Sequence, residues 1–170
     1  MKVIVYFIPT LNGFIAQESE EDYSFISDGA WNFYLNKLKE VKVFIMGSRT
    51  YEVSLRTGAF PYDCLNVVMT RQKINNKWGE NVLFINLKPK EVLNFLEKKG
   101  FNEVIITGGY LSASFMKENL VDEIWVDIMP KIFTGGIKLF DGEDFDSSLK
   151  LLEVKKYGKD EVQLRYKVIK

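Results

Sequence analysis

At 170 residues and 46% apolar content, the chain is sized for one domain, residues 1–170, able to bury about two-thirds of the surface its unfolded form exposes. Its 23 basic and 23 acidic residues cancel, and no window forms a basic stripe or polybasic anchor, so the expected partner is a small molecule, with no nucleic acid and no membrane. The absence of histidine and the single cysteine, Cys64, exclude an intrachain disulfide, Ser-His-Asp and Cys-His machinery, imidazole acid–base chemistry and the usual zinc sites. Chemistry is left to carboxylates, water or a bound cofactor. A nicotinamide makes the smallest demand, because the protein need only bind, orient and exclude water. Cysteine usage, apolar runs far short of the roughly 20 residues that span a bilayer, and Met1-Lys2 leading straight into a strand pattern predict a cytoplasmic protein.

Lys2 to Pro9 reads as a first strand, β-branched and aromatic throughout. Gln17 to Asp28 is a looser segment, and a helix is expected over Gly29 to Glu40 behind Ser27 and Asp28 as candidate caps. A strand over Val41 to Met46 leads through Gly47-Ser48-Arg49 into a helix from Thr50 to Arg56. Thr57 to Asp63 is loop, followed by strands at Leu65 to Met69 and Val82 to Ile85. Pro89 to Lys99 forms a helix with proline in its first turn and Gly100 as its stop. A strand over Glu103 to Thr107 breaks into Gly108-Gly109 and a helix over Leu111 to Asn119; another strand spans Glu123 to Ile128. After the loop Phe133 to Ser148, Leu151 to Tyr157 and Val162 to Val168 flank Gly158-Lys159-Asp160 as an antiparallel hairpin, the second arm alternating apolar and polar residues. Strands that are apolar throughout need cover on both faces, so the pattern predicts an α/β fold: a mostly parallel central sheet flanked by helices, with a C-terminal antiparallel hairpin.

In such a sheet ligands gather at the carboxyl ends of the strands. Three junctions there carry phosphate-compatible chemistry: Gly47-Ser48-Arg49-Thr50, Thr70-Arg71 and Thr107-Gly108-Gly109. Glycines admit close approach to the main chain, a helix start offers unpaired N–H groups, and arginine suits bidentate phosphate contact. A Gly-Gly pair alone is also an ordinary strand-to-helix turn, and each arginine alone an ordinary surface cation. Together they point to a dinucleotide.

The order and spacing of these motifs resemble the dihydrofolate reductase-like three-layer fold, particularly the branch containing the C-terminal reductase domain of riboflavin biosynthesis enzymes. The resemblance rests on Thr10-Leu11-Asn12-Gly13-Phe14-Ile15-Ala16, Met46-Gly47-Ser48-Arg49-Thr50-Tyr51-Glu52, Thr107-Gly108-Gly109, and Leu120-Val121-Asp122-Glu123 followed by Pro130 to Phe140. It implies an NADPH-dependent reductase, with a homodimer as its assembly. By position, Gly47, Ser48, Arg49 and Thr50 would contact phosphates, and Thr70 and Arg71 the adenosine ribose and its 2′-phosphate. Thr107, Gly108, Gly109, Tyr110, Leu111 and Ser112 would meet the pyrophosphate, and Ile8, Ile15 and Ala16 would line the nicotinamide. The family also joins its paired glycines by a cis peptide, which is therefore expected between Gly108 and Gly109.

The substrate side departs from the pattern. Trp31 falls near the position where dihydrofolate reductases place a carboxylate, leaving Asp28 either to substitute or to cap the helix. Asp127 stands where those enzymes have threonine, Asn12 replaces a first-loop aspartate, and Val53-Ser54-Leu55-Arg56 replaces the Asp-Asp-Pro-x-Leu segment of the riboflavin-pathway reductases. Asn12, Phe14, Trp31 and Tyr51 are the candidate substrate contacts, although the aromatics can equally be core. Asp28 and Asp127 are the candidate catalytic residues, polarising the water that protonates the substrate; no metal site is expected. The resulting expectation is hydride transfer from NADPH to a flat nitrogen heterocycle of the 5-amino-6-(5-phosphoribosylamino)uracil type. The alternatives are a dihydropterin substrate and a non-catalytic nucleotide-binding module.

Overall fold

The computed structural model describes residues 1–17 and 22–170, so part of the Gln17 to Asp28 loop lies outside the described residues. From the N-terminus the elements are β1 (Lys2–Phe7), β2 (Phe14–Ala16), α1 (Asp28–Val41), β3 (Val43–Gly47), α2 (Ser48–Arg56), β4 (Leu65–Met69) and β5 (Val82–Ile85). There follow α3 (Pro89–Lys98), β6 (Glu103–Ile106), α4 (Gly109–Lys117), β7 (Glu123–Ile128), β8 (Ile137–Lys138), β9 (Leu149–Tyr157) and β10 (Glu161–Val168). The main sheet has the order β5-β4-β3-β6-β1-β7-β10-β9. Strands β5 through β7 are parallel, whereas β10 runs antiparallel to both β7 and β9.

The two-residue period of the strands sorts their side chains into two cores. Val3, Val5, Phe7, Val43, Ile45, Val104 and Ile106 face α3 and α4, which contribute Val92, Leu96, Phe115 and Met116. Ile4, Tyr6, Ile8, Phe44, Met46 and Ile105 face α1 and α2, which contribute Ala30, Tyr34, Leu38 and Tyr51. Each fully buried large apolar side chain contributes about 1.5–3 kcal/mol, so a sheet covered on both sides follows from strands with no polar face. The result is the expected three-layer α/β arrangement with its antiparallel C-terminal pair.

Element boundaries shift where caps act. Strand β3 begins two residues after the predicted Val41, because Lys42 turns left-handed (φ 70°) and its N–H closes α1 on Leu38 O at 2.9 Å. Helices α2 and α4 begin two residues before prediction because Gly47 and Gly108 are themselves the N-caps. The small β2–β8 sheet was not predicted. Its strands are three and two residues long with an irregular register, too short to show a period. Among the described residues, no helix is long and apolar enough to cross a membrane.

Candidate active site

A cleft of about 1210 Å³ opens at the carboxyl ends of the adjacent strands β3, β6 and β1. Its floor and one end are built from Ile8, from Gly47 through Thr50 and from Thr107 through Leu111. Ile15, Ala16 and Ile137 of the small sheet and Asp28, Trp31 and Tyr34 of α1 add to its lining. Sequence-distant junctions therefore converge because their strands are neighbours in the sheet.

Two glycine-led helix starts meet in this cleft. Gly108 has φ 100° and ψ 125°, and an ideal Cβ there would lie 2.8 Å from Thr50 Oγ1. That spacing draws the starts of α2 and α4 together. Gly109 is required by packing: its Cβ would lie 2.6 Å from the Lys138 carbonyl oxygen of β8. At Gly47 the space is open, with nothing within 4 Å of an added Cβ. Both N-caps are glycines, so neither supplies a side-chain acceptor to the orphan N–H groups of its first turn. Arg49, Ser48 and Thr50 line the same end. The set of donors, main-chain N–H groups, hydroxyls and a guanidinium, suits a polyphosphate, and the open cradle at Gly47 admits one. The expected cis peptide is not found: the cis bond among the described residues is Phe60–Pro61, and Gly108–Gly109 is trans. Gly108 makes the turn instead through a φ that only glycine adopts freely.

Other residues assigned from sequence lie elsewhere. Ser112 is fully buried one turn into α4, with its Oγ lacking a hydrogen-bond partner among the described residues. Thr70 is buried at the end of β4, where its Oγ1 accepts from Gln72 N–H at 3.1 Å, and Arg71 beside it is exposed. Neither lines the cleft, because β4 lies one strand outside β3. Asn12 and Phe14 are also outside the lining. Asn12 is a latch between loops, its Nδ2 donating to Phe133 O at 2.6 Å and its Oδ1 accepting from Phe133 N–H and Thr10 Oγ1. Tyr51 is buried against Phe60, Trp78 and Phe84, facing away from the opening.

Trp31 and Asp28 do line the cleft. The Trp31 ring stacks on Tyr34 at 5.6 Å between centroids and 16° between planes. The N-cap of α1 is Ser27, whose Oγ accepts from Ala30 N–H at 3.2 Å, so Asp28 is a first-turn residue with an exposed carboxylate.

Asp127 is fully buried behind the cleft. It receives a hydrogen bond from Tyr6 Oη on Oδ2 and one from Gln163 Nε2 on Oδ1 at 2.6 Å. Register explains the cluster: Tyr6 pairs with Trp125, Asp127 lies two residues along the same face, and Gln163 is its antiparallel partner. Arg165 continues the chain, donating from Nε to Gln163 Oε1 at 3.0 Å while stacking over Trp125. Burial raises the Asp127 carboxyl above its ordinary range, opposed by these hydrogen bonds. Burial, reinforced by the Asp127 carboxylate, likewise holds the Tyr6 hydroxyl well above the ordinary tyrosine value. Tyr6 and Tyr34 therefore stay protonated at neutral pH.

Sequence reasoning missed Tyr6, Phe44 and Tyr62 as cleft residues. For Tyr6 the signal was present, since a period of two places it on the same strand face as Ile8. Tyr62 follows a loop whose path no local pattern reveals; its Oη pairs with Ser54 Oγ at 3.0 Å.

Residues 63–163 match the family model of the RibD C-terminal domain. Over 97% of both chains the protein is 32% identical to YwjB of Bacillus subtilis (strain 168), itself described as uncharacterised. A Shewanella sp. PV-4 protein named for riboflavin biosynthesis superposes with a TM-score of 0.82 at 24% identity, both chains being covered in full. A Thermotoga maritima diaminohydroxyphosphoribosylaminopyrimidine deaminase/5-amino-6-(5-phosphoribosylamino)uracil reductase gives a TM-score of 0.77 at 17% identity, with 99% of this chain covering 56% of the enzyme. At such identities the structural likeness speaks for the fold, and the match over residues 63–163 speaks for descent. The chain belongs to the RibD C-terminal domain family.

Proposed function

We propose that the protein is an NADPH-dependent reductase acting on a flat nitrogen heterocycle. The observation that carries this reading is the meeting of two uncapped, glycine-led helix starts with Arg49 at one end of a single cleft. Each helix start is worth about 0.3–1 kcal/mol toward an anion, and hydrogen bonds to charged groups about 1.5–3 kcal/mol each. Gly47, Ser48, Arg49 and Thr50, with Thr107 through Leu111, would hold the pyrophosphate. Arg71, outside the cleft, would reach the 2′-phosphate, with Thr70 fixing the turn that presents it. When bound, the nicotinamide supplies the hydride.

The chain's own work at the other end is positioning. Ile8, Ile15 and Ala16 form an apolar wall that keeps water from the reacting face. Trp31, held by its stack on Tyr34, offers a platform for a planar ring. Asp28 would hold the water that protonates the substrate. Asp127 acts at one remove, fixing the Tyr6 hydroxyl, and is a positioning residue. The family supports a pyrimidine of the 5-amino-6-(5-phosphoribosylamino)uracil type as the reference substrate class. The Asp28 carboxylate at the opening favours a dihydropterin as the second reading.

The test is oxidation of NADPH by the purified protein across a panel of aminouracils and dihydropterins, followed through loss of nicotinamide absorbance. Turnover with at least one member is expected, with Arg49→Ala raising KM for NADPH about tenfold or more. Saturable NADPH binding with no turnover across the panel would instead support a non-catalytic nucleotide-binding module.

A further inference from the structure

Apart from the two helix starts, the cleft has an unusual charge balance. The rest of its described lining includes Asp22, Asp28, Trp31, Tyr34, Ser54 and Tyr62, and no lysine or arginine. The described lining of the whole cleft holds one cation, Arg49, in the first turn of α2 beside the two helix starts. Both carboxylates are exposed at the opening. Asp22 is held below the ordinary carboxylate range, first by hydrogen bonds from Ser24, whose main-chain N–H lies 2.8 Å from Oδ1, and more weakly by Lys131. The sequence from residue 17 to 28 contains no lysine or arginine. Three cations outside the lining are exposed: Arg56 in the last turn of α2, Lys131, whose charge acts on Asp22, and Lys138 on β8.

We infer that this part of the cleft takes a neutral or cationic aromatic heterocycle that carries no phosphate. With Arg49 taken by the dinucleotide, a phosphoester brought beside Asp22 and Asp28 would meet two like charges and no other guanidinium or ammonium among the described lining residues. A planar ring without that group meets Trp31 and Tyr34, and an amino-bearing or protonated edge meets the carboxylates. The inference rests on the reading that Arg49 and the two helix starts are occupied by the dinucleotide. It separates this chain from the phosphorylated substrate class named for the Thermotoga relative.

The experiment uses two pairs of probes that differ only in a terminal phosphate: 5-amino-6-ribosylaminouracil and its 5-phosphate, and dihydroneopterin and its monophosphate. Each is titrated against tryptophan fluorescence, once in the presence of NADPH and once without it. A prior NADPH titration reports whether the dinucleotide reading stands; the phosphate discrimination is read in the NADPH-saturated series, and tighter binding of the phosphorylated members confined to the cofactor-free series marks the vacant helix starts instead. The unphosphorylated member of a pair is expected to bind about tenfold more tightly, and Asp28→Asn to narrow that gap. Arg56→Ala and Lys131→Ala should leave the phosphorylated members unchanged. Equal or tighter binding of the phosphorylated members in the NADPH-saturated series, a loss of their binding on either cation substitution, or no binding by any probe would overturn the inference.

Discussion

Gly109 and Gly108 answer to different physical demands although they are adjacent. A side chain at Gly109 would have to displace the Lys138 carbonyl oxygen, whereas Gly108 supplies a backbone angle and a close approach to Thr50. The pair is thus structural and site-forming at once. Asp127 shows the same double character, being fully buried yet joined to a cleft residue through Tyr6. Its raised pKa has a definite sign in stability. Unfolding returns the carboxyl to its ordinary value, so the folded chain binds the extra proton, and stability falls as pH rises from the ordinary carboxylate range through the native pKa. The Asp127→Asn variant cannot titrate there. Urea unfolding at about pH 4 and about pH 8 should therefore show the variant gaining on the wild type as pH rises. A pH-independent difference between the two would contradict a buried, raised carboxyl at this position.

Among the elements, those with strong local signals were legible before the fold was known. Strands β4, β5 and β7 fall on their predicted bounds because each is a short run rich in β-branched and other apolar residues. Strands β2 and β8 escaped because so few residues carry no period, and their pairing depends on Gly136, where a Cβ would lie 2.1 Å from Ala16 O. Arg71 illustrates what a junction motif cannot say by itself. It follows β4 as expected, but β4 stands outside β3, so only the adenosine end of a long dinucleotide would reach it. Arg71→Ala should weaken NADPH about tenfold while changing NADH less than about threefold, measured by titration of each cofactor. Equal losses for the two would remove Arg71 from 2′-phosphate recognition.

For the whole molecule, the part of the cleft built by the helix starts was readable and the aromatic part only partly so, for a physical reason. Helix starts and glycine turns are local in sequence, so Gly47 to Thr50 and Thr107 to Leu111 announced themselves. The aromatic side of the cleft is completed by strand register and loop paths, which recruited Tyr6, Phe44 and Tyr62 while turning Tyr51 into core. The central claim is that the convergence of α2, α4 and Arg49 makes a dinucleotide site. The most direct measurement is titration of the intact protein with NADPH under tryptophan excitation, since Trp31 lines the same cleft. The account predicts saturable quenching with sensitised nicotinamide emission, weakened about tenfold or more by Arg49→Ala. Neither quenching nor energy transfer at high NADPH would contradict it.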